Sequence, residues 1–217
     1  MSHPANNWMA LFIFKEEKNM KFFKKSALVL AALFVMGSAF GAEKIVGINF
    51  TMPSNKLTMK TDYGSGYYKP VCIGIGINAL SGNVYTSVDL GFAQKLETSV
   101  GTASKEDLKN AKMSIITLDF LAGLGFKIVD GDLQFILAPG IHYTMYSEKS
   151  SGDQDLYFTL GLGAEAMLNY YFTNTIGLTG SFGFAYDFFG FGTGNSSGEI
   201  KYSTLSLVPR VGVVIKY

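Results

Sequence analysis

The C-terminal stretch Ser203–Tyr217, STLSLVPRVGVVIKY, is the one from which the fold can be read. Leu205, Leu207, Pro209, Val211, Val213, Ile215 and Tyr217 fall on one side of an extended chain. Ser206, Val208, Arg210, Gly212, Val214 and Lys216 fall on the other. In a soluble sheet the apolar side would face a core and the charged side water. In a membrane barrel the apolar side faces lipid, and the small and charged side faces the lumen. One strand permits both facings, so the rest of the chain has to choose.

The same alternation recurs in Lys44–Met52, Tyr68–Ala79, Val84–Lys95, Ser114–Lys127, Leu133–Tyr146, Leu156–Tyr170 and Thr175–Asp187. With the last stretch this makes eight strands, most of them near the roughly 9–11 residues that cross a bilayer at a tilt. The connections alternate. Pro53–Tyr67, Glu97–Lys112, Ser147–Asp155 and Phe188–Glu199 are long and polar, and read as solvated loops. Ser81-Gly82-Asn83, Asp130-Gly131 and Thr173-Asn174 are short turns. Outer-membrane barrels combine an even strand number with short periplasmic turns and longer outer loops. The fold class expected is therefore all-β, an eight-stranded antiparallel up-and-down transmembrane β-barrel with both chain ends periplasmic. A soluble lipocalin-like barrel would put glycine, serine and aspartate outside. Charge segregation argues against it, because nearly every in-strand Asp, Glu, Arg and Lys shares the parity of the small residues. Tyr67, Tyr68, Tyr143, Tyr170, Tyr171, Tyr186 and Tyr217 near strand ends suit an interfacial girdle.

Composition agrees. Charged residues are 16% of the 217, below the roughly 25% of soluble domains, while Gly (25), Phe (18) and Tyr (12) suit a sheet with one small and one bulky face. The net charge of +1 argues against a nucleic-acid binder, which would show a clustered basic excess. A single cysteine, Cys72, excludes an internal disulfide and a cysteine-based zinc cluster. No cofactor or metal motif stands out.

Basic Met20–Lys25, apolar Ser26–Met36 and small Gly37–Ala42 follow the order of a secretory signal peptide, and the apolar run is too short for a membrane helix. The expected division is 1–19 as a non-native upstream segment, 20–41 as signal peptide, with cleavage near Ala39-Phe40-Gly41, and 42–217 as the barrel.

A signal peptide, eight alternating strands and an aromatic C-terminal residue together resemble the small outer-membrane barrels, the OmpA transmembrane-domain and OmpX-like superfamily. Val211, Val213, Ile215 and Tyr217 resemble the assembly signal of that group, which usually ends in Phe, and this implies recognition by the barrel-assembly machinery. The likeness covers the mature chain as architecture and selects no subfamily. It implies the bacterial outer membrane as location, and its members range over structural, adhesive, protective and small-molecule-conducting roles.

Asp89, Asp119, His142, Glu165, Arg210 and Lys216 all take lumen parity. An eight-stranded barrel is just wide enough to be filled by side chains, and buried charges need partners. An ion-pair network is the expectation. Alternatively, Arg210 exchanging between Glu165 and Asp119 would gate a narrow polar path. His142 lacks a nucleophile at triad spacing, and Gly74-Ile75-Gly76 and Gly161-Leu162-Gly163 lack the helix and lysine of a phosphate loop, so no enzyme activity is expected. The function expected is structural or surface interaction, such as adhesion or envelope protection, with a host or surface ligand met through the long loops. The alternative is a narrow pore or transporter for small or hydrophobic molecules, with Pro139 and Pro209 marking an opening in the wall.

Overall fold

A computed structural model describes residues 43–61, 64–150, 153–192 and 200–217. The expected upstream segment and signal peptide lie outside these residues. Among the described residues there are eleven strands and one short helix: β1 (Lys44–Thr51), β2 (Ser54–Thr61), β3 (Gly64–Ser81), β4 (Val84–Thr98), β5 (Gly101–Ser104), α1 (Lys105–Asn110), β6 (Met113–Leu124), β7 (Phe126–Val129), β8 (Leu133–Ser150), β9 (Asp153–Tyr171), β10 (Ile176–Gly192) and β11 (Lys201–Lys216).

Every pairing is antiparallel, and β11 returns to pair with both β1 and β2. The register is continuous across those two strands, with Thr51 opposite Arg210 and Ser54 opposite Leu207. They form one stave interrupted at Met52-Pro53, because Pro53 has no N–H to give. The neighbours compensate: Met52 N–H donates to the Pro209 carbonyl at 3.1 Å, and Cys72 N–H to the Pro53 carbonyl at 2.9 Å. β6 and β7 likewise share one stave alongside β8, and β5 pairs only with β4 as a spur. The result is the expected closed ring of eight staves.

The facing is settled by exposure. Outward Ile75 is 65% and Val211 62% exposed, whereas inward Asn49, Asn78, Ser87 and Thr179 are buried. A soluble barrel would show the reverse. The apolar side faces lipid.

Two expectations need correction at the outer end. First, the connections read as polar loops are mostly strand. β2 and the start of β3 occupy Pro53–Tyr67, β8 and β9 run deep into Ser147–Asp155, and β10 continues to Gly192. Among the described residues of these connections, only Glu97–Lys112 holds a helix, α1, capped at Ser104. The Ser104 hydroxyl accepts from Asp107 N–H, and the Asp107 carboxylate accepts from Ser104 N–H at 2.9 Å. That amide and the Ser104 hydroxyl hold the Asp107 carboxyl below its ordinary range. The strands continue because their polarity inverts beyond the lipid. On β2, Asn55 and Leu57 are buried inside while Lys56 and Lys60 are exposed outside. Outside the membrane water lies against the wall, so the soluble convention applies. Second, not all the tyrosines belong to the girdle. Tyr170, Tyr186 and Tyr217 do point outward and are at least half exposed, but Tyr68 and Tyr171 alternate inward and are buried in the lumen.

On an unheated gel, a detergent-extracted outer-membrane fraction should carry this protein at a different mobility from the boiled sample, because closure makes the folded ring resist the detergent. Recovery in the soluble periplasmic fraction, with one mobility in both samples, would contradict the fold.

Candidate functional site

The lumen is built in three layers. At the periplasmic end Ile45, Leu80, Tyr85, Leu121, Ile136, Met167, Tyr171 and Val214 pack as a buried apolar cluster. At the outer end Leu57, Tyr68, Leu96, Ile115, Tyr146 and Tyr202 form another, and Leu108 of α1 inserts into it. Between them lie the charges.

Arg210 holds the central layer together. Its Nε donates to Asp89 at 2.8 and 3.0 Å, and its Nη2 donates to the same carboxylate, in a two-pronged fork. Nη1 lies 2.9 Å from Glu165 Oε2, off the hydrogen-bonding axis, so that contact is electrostatic. Glu165 also accepts from Ser181 Oγ at 2.6 Å. From β11 the guanidinium thus reaches β4 on one side of the ring and β9 on the other. Glycine makes the room. A Cβ on Gly76 would collide with the Asp89 carboxylate, and one on Gly183 would stand 3.0 Å from Arg210 Nη1.

The second cluster centres on His142. Its Nδ1 lies 2.9 Å from Asp187 and its Nε2 3.6 Å from Asp119. Both nitrogens face carboxylate oxygens, so neither is turned toward a hydroxyl it could activate. Asp119 accepts from Asn55 at 2.7 and 2.9 Å and from Thr144 at 3.2 Å. Asp187 accepts from Thr159 at 2.7 Å. Asp89 and Asp119 are direct cross-strand partners, which would repel if left alone; Asp89 turns to Arg210, and Asp119 to Asn55, Thr144 and His142.

Asp89, Asp119, His142, Glu165 and Arg210 thus come together in the buried middle of the barrel. Lys216 does not join them. It sits at the periplasmic rim, 3.3 Å from Glu43 and over the Tyr171 ring, because its strand ends there. Arg210 touches Asp89 and Glu165 and makes no hydrogen bond or ion pair with Asp119 among the described residues. Besides the hydroxyls of Thr144, Thr159 and Ser181, the partners Asp187 and Asn55 were absent from the expected set. Asp187 has lumen parity but stands at the end of its stretch. Asn55 lies in a segment read as a loop; the alternation Asn55, Leu57, Met59 against Lys56, Thr58, Lys60 was its signal, with the sense reversed. Val211, Val213 and Ile215 face outward on β11, and Tyr217, just past its end, is exposed as well.

A cavity bordered by His142, Glu165, Ser206 and Arg210 has room for about one water molecule. Among the described residues, no group of His, Cys, Asp and Glu is arranged to hold a metal ion.

No protein-family model matches the sequence, and no curated protein matches it in sequence either. Solved structures do match. The outer membrane protein OprG from Pseudomonas aeruginosa superposes with a TM-score of 0.51 at 11% identity, covering 81% of this chain and 96% of that one. The outer membrane protein AlkL, solved in lipid bilayers, gives 0.51 at 9% identity over 81% and 90%. The attachment invasion locus protein Ail of Yersinia pestis gives 0.44 at 12% over 82% and 100%. At such identities the likeness is one of fold: this chain has the architecture of the small outer-membrane β-barrels.

Replacing Arg210 with Ala leaves Asp89 and Glu165 buried without their counter-charge. The expected loss is about 3–5 kcal/mol of unfolding free energy, read by urea titration in phospholipid vesicles with circular dichroism. Combining Arg210→Met with Asp89→Asn and Glu165→Gln should restore most of it, since no orphan charge then remains.

Proposed function

We propose that this chain is an integral outer-membrane barrel with a closed lumen, acting in envelope structure or in surface interaction such as adhesion or envelope protection. The observation that carries the reading is the layering of the lumen: two apolar clusters enclose a paired charge layer, and the cavity beside Glu165 and Arg210 has room for about one water. A conducting barrel needs a continuous wet path, and both ends of this one are filled with leucine, isoleucine and tyrosine. The charge layer then acts as a structural brace between opposite walls. A non-enzymatic role fits the same geometry, because the one lumen histidine has both nitrogens committed to carboxylates.

What remains available for partners is the outside. The β4–β6 connection, with β5 and α1, stands at the outer mouth and carries Lys105, Glu106, Lys109 and Lys112 exposed to solvent. A host or other surface ligand would meet this region first. The outward row Val211, Val213, Ile215 and Tyr217 would be read by the barrel-assembly machinery before the ring closes and lipid covers it.

The competing reading is a narrow pore with Arg210 as gate. In planar bilayers the wild type is expected to give no conductance steps, and Arg210→Ala to give none either. Steps in the wild type would overturn the sealed lumen; steps only in the variant would establish the gate. Replacing residues 99–112 with a short Gly-Ser turn tests the surface role. Loss of whole-cell binding to host-cell or abiotic surfaces is expected, and unchanged binding removes adhesion from the reading.

A further inference from the structure

The outer wall above the apolar band carries a row of lysines whose arrangement the barrel itself does not require. Lys56 and Lys60 point outward from β2, Lys69 from β3, Lys95 from β4 and Lys201 from β11. Among the described outward positions of these four neighbouring strands, Glu97 is the one acid. It lies between Lys69 at 3.0 Å and Lys95 at 2.7 Å, so one carboxylate is shared by two ammonium groups. Elsewhere the row is like against like. Lys60 is the direct cross-strand partner of Lys201. The register that sets Leu57 against Tyr68 places Lys56 against Lys69.

Like charges directly opposite on adjacent strands are destabilising. Lys69 already has Glu97 as its partner, whereas Lys60 and Lys201 face no acid among the described residues, so the face favours a counter-charge from outside the chain. Their height says where it comes from. Lys56 lies opposite Leu205, the last outward apolar residue of β11, and only a few residues beyond Met52, the outward apolar residue that follows β1. The row therefore begins where the hydrocarbon ends. Tyr67 lies beneath Lys56, with the ammonium 4.6 Å from the ring centroid, and holds that side chain against the wall. Ammonium groups with three rotatable donors suit phosphate oxygens, and they lie at the level of headgroups rather than at the loop tips.

We propose that the outward face of β11, β2, β3 and β4 is a binding site for the phosphate-bearing headgroup of a membrane glycolipid in the outer leaflet. Lys56 and Lys69 take one phosphate and Lys60 and Lys201 a second, about four residues further along the strand. The occupant is lipid because the site lies flush with the bilayer. A soluble polyanion would have to approach along the membrane plane. This site depends on the barrel's orientation in the membrane and not on whether its lumen conducts.

The test uses the full protein reconstituted in phosphatidylcholine vesicles containing a minor fraction of diphosphorylated lipid A, or of the same lipid stripped of its phosphates. Lipid retained through detergent extraction is counted by native mass spectrometry. The phosphorylated lipid should be retained, and the dephosphorylated one should fall by about ten-fold or more. The variant Lys56→Gln/Lys60→Gln/Lys69→Gln/Lys201→Gln, its folding checked by gel mobility, should lose the phosphorylated lipid to the same degree. Lys149→Gln, on β8 away from the row, should retain it. Equal retention of the two lipids overturns the proposal without any variant, and so does undiminished retention by the folded quadruple variant. Capture of soluble heparin or an acidic peptide with no lipid retained assigns the row to a soluble polyanion and overturns it as well.

Discussion

The seam between the first stave and the last is the contact on which the rest depends. In hydrocarbon every backbone N–H and C=O has to be satisfied within the protein, and a sheet achieves that only by meeting itself. β11 closes the ring against β1 and β2 in one unbroken register, even across Pro53, where a ladder bond is lost. Closure in turn creates an inside. Eight staves leave an inside so narrow that side chains fill it, and every charge brought in must find a partner there. Arg210 sits on the closing strand itself. It bridges to β4 one way round and β9 the other, so the brace is assembled only when the seam is.

The barrel obeys two solvents at once. Along the lipid band apolar side chains face out and asparagine, threonine and aspartate face in. Beyond the band the same strands continue with the opposite sense, as on β2 and at the outer end of β4, where Leu96 is buried and Lys95 exposed. On β4 a bulge at Gln94 marks the change and turns Lys95 outward; on the β1–β2 stave the parity runs on and only what lies against the wall changes. The layering of the lumen follows from this inversion. Where the wall is wet the inside can be apolar, so Leu57, Tyr68, Tyr146 and Tyr202 gather above the charges.

The strands, their parity and the pairing order were legible because a period of two on a membrane wall leaves a strong signal. Five of the six expected lumen charges lie where parity puts them, since each side of a strand has one destination. What was not legible came from two sources. Polar outward residues erase the usual cue for a strand, so Ser54–Thr61 read as loop and its Asn55 was lost. Parity also carries no height. It could not say that Lys216 stops at the rim, that Tyr68 plugs the mouth, or that Arg210 chooses Asp89 over Asp119, because those depend on where each residue stands along a tilted strand.

The point at which the wall changes polarity has a mechanical consequence. On β2 and β11 the change occurs within a few residues: Met52 and Leu205 belong in hydrocarbon, Lys56 and Lys201 do not. Sinking the barrel would drag ammonium groups into the acyl chains, and lifting it would expose Ile48, Phe50 and Leu205 to water. The molecule has little freedom to ride up or down. It will set the bilayer thickness around itself rather than follow it, and a thicker or thinner leaflet will deform at its edge before the protein moves.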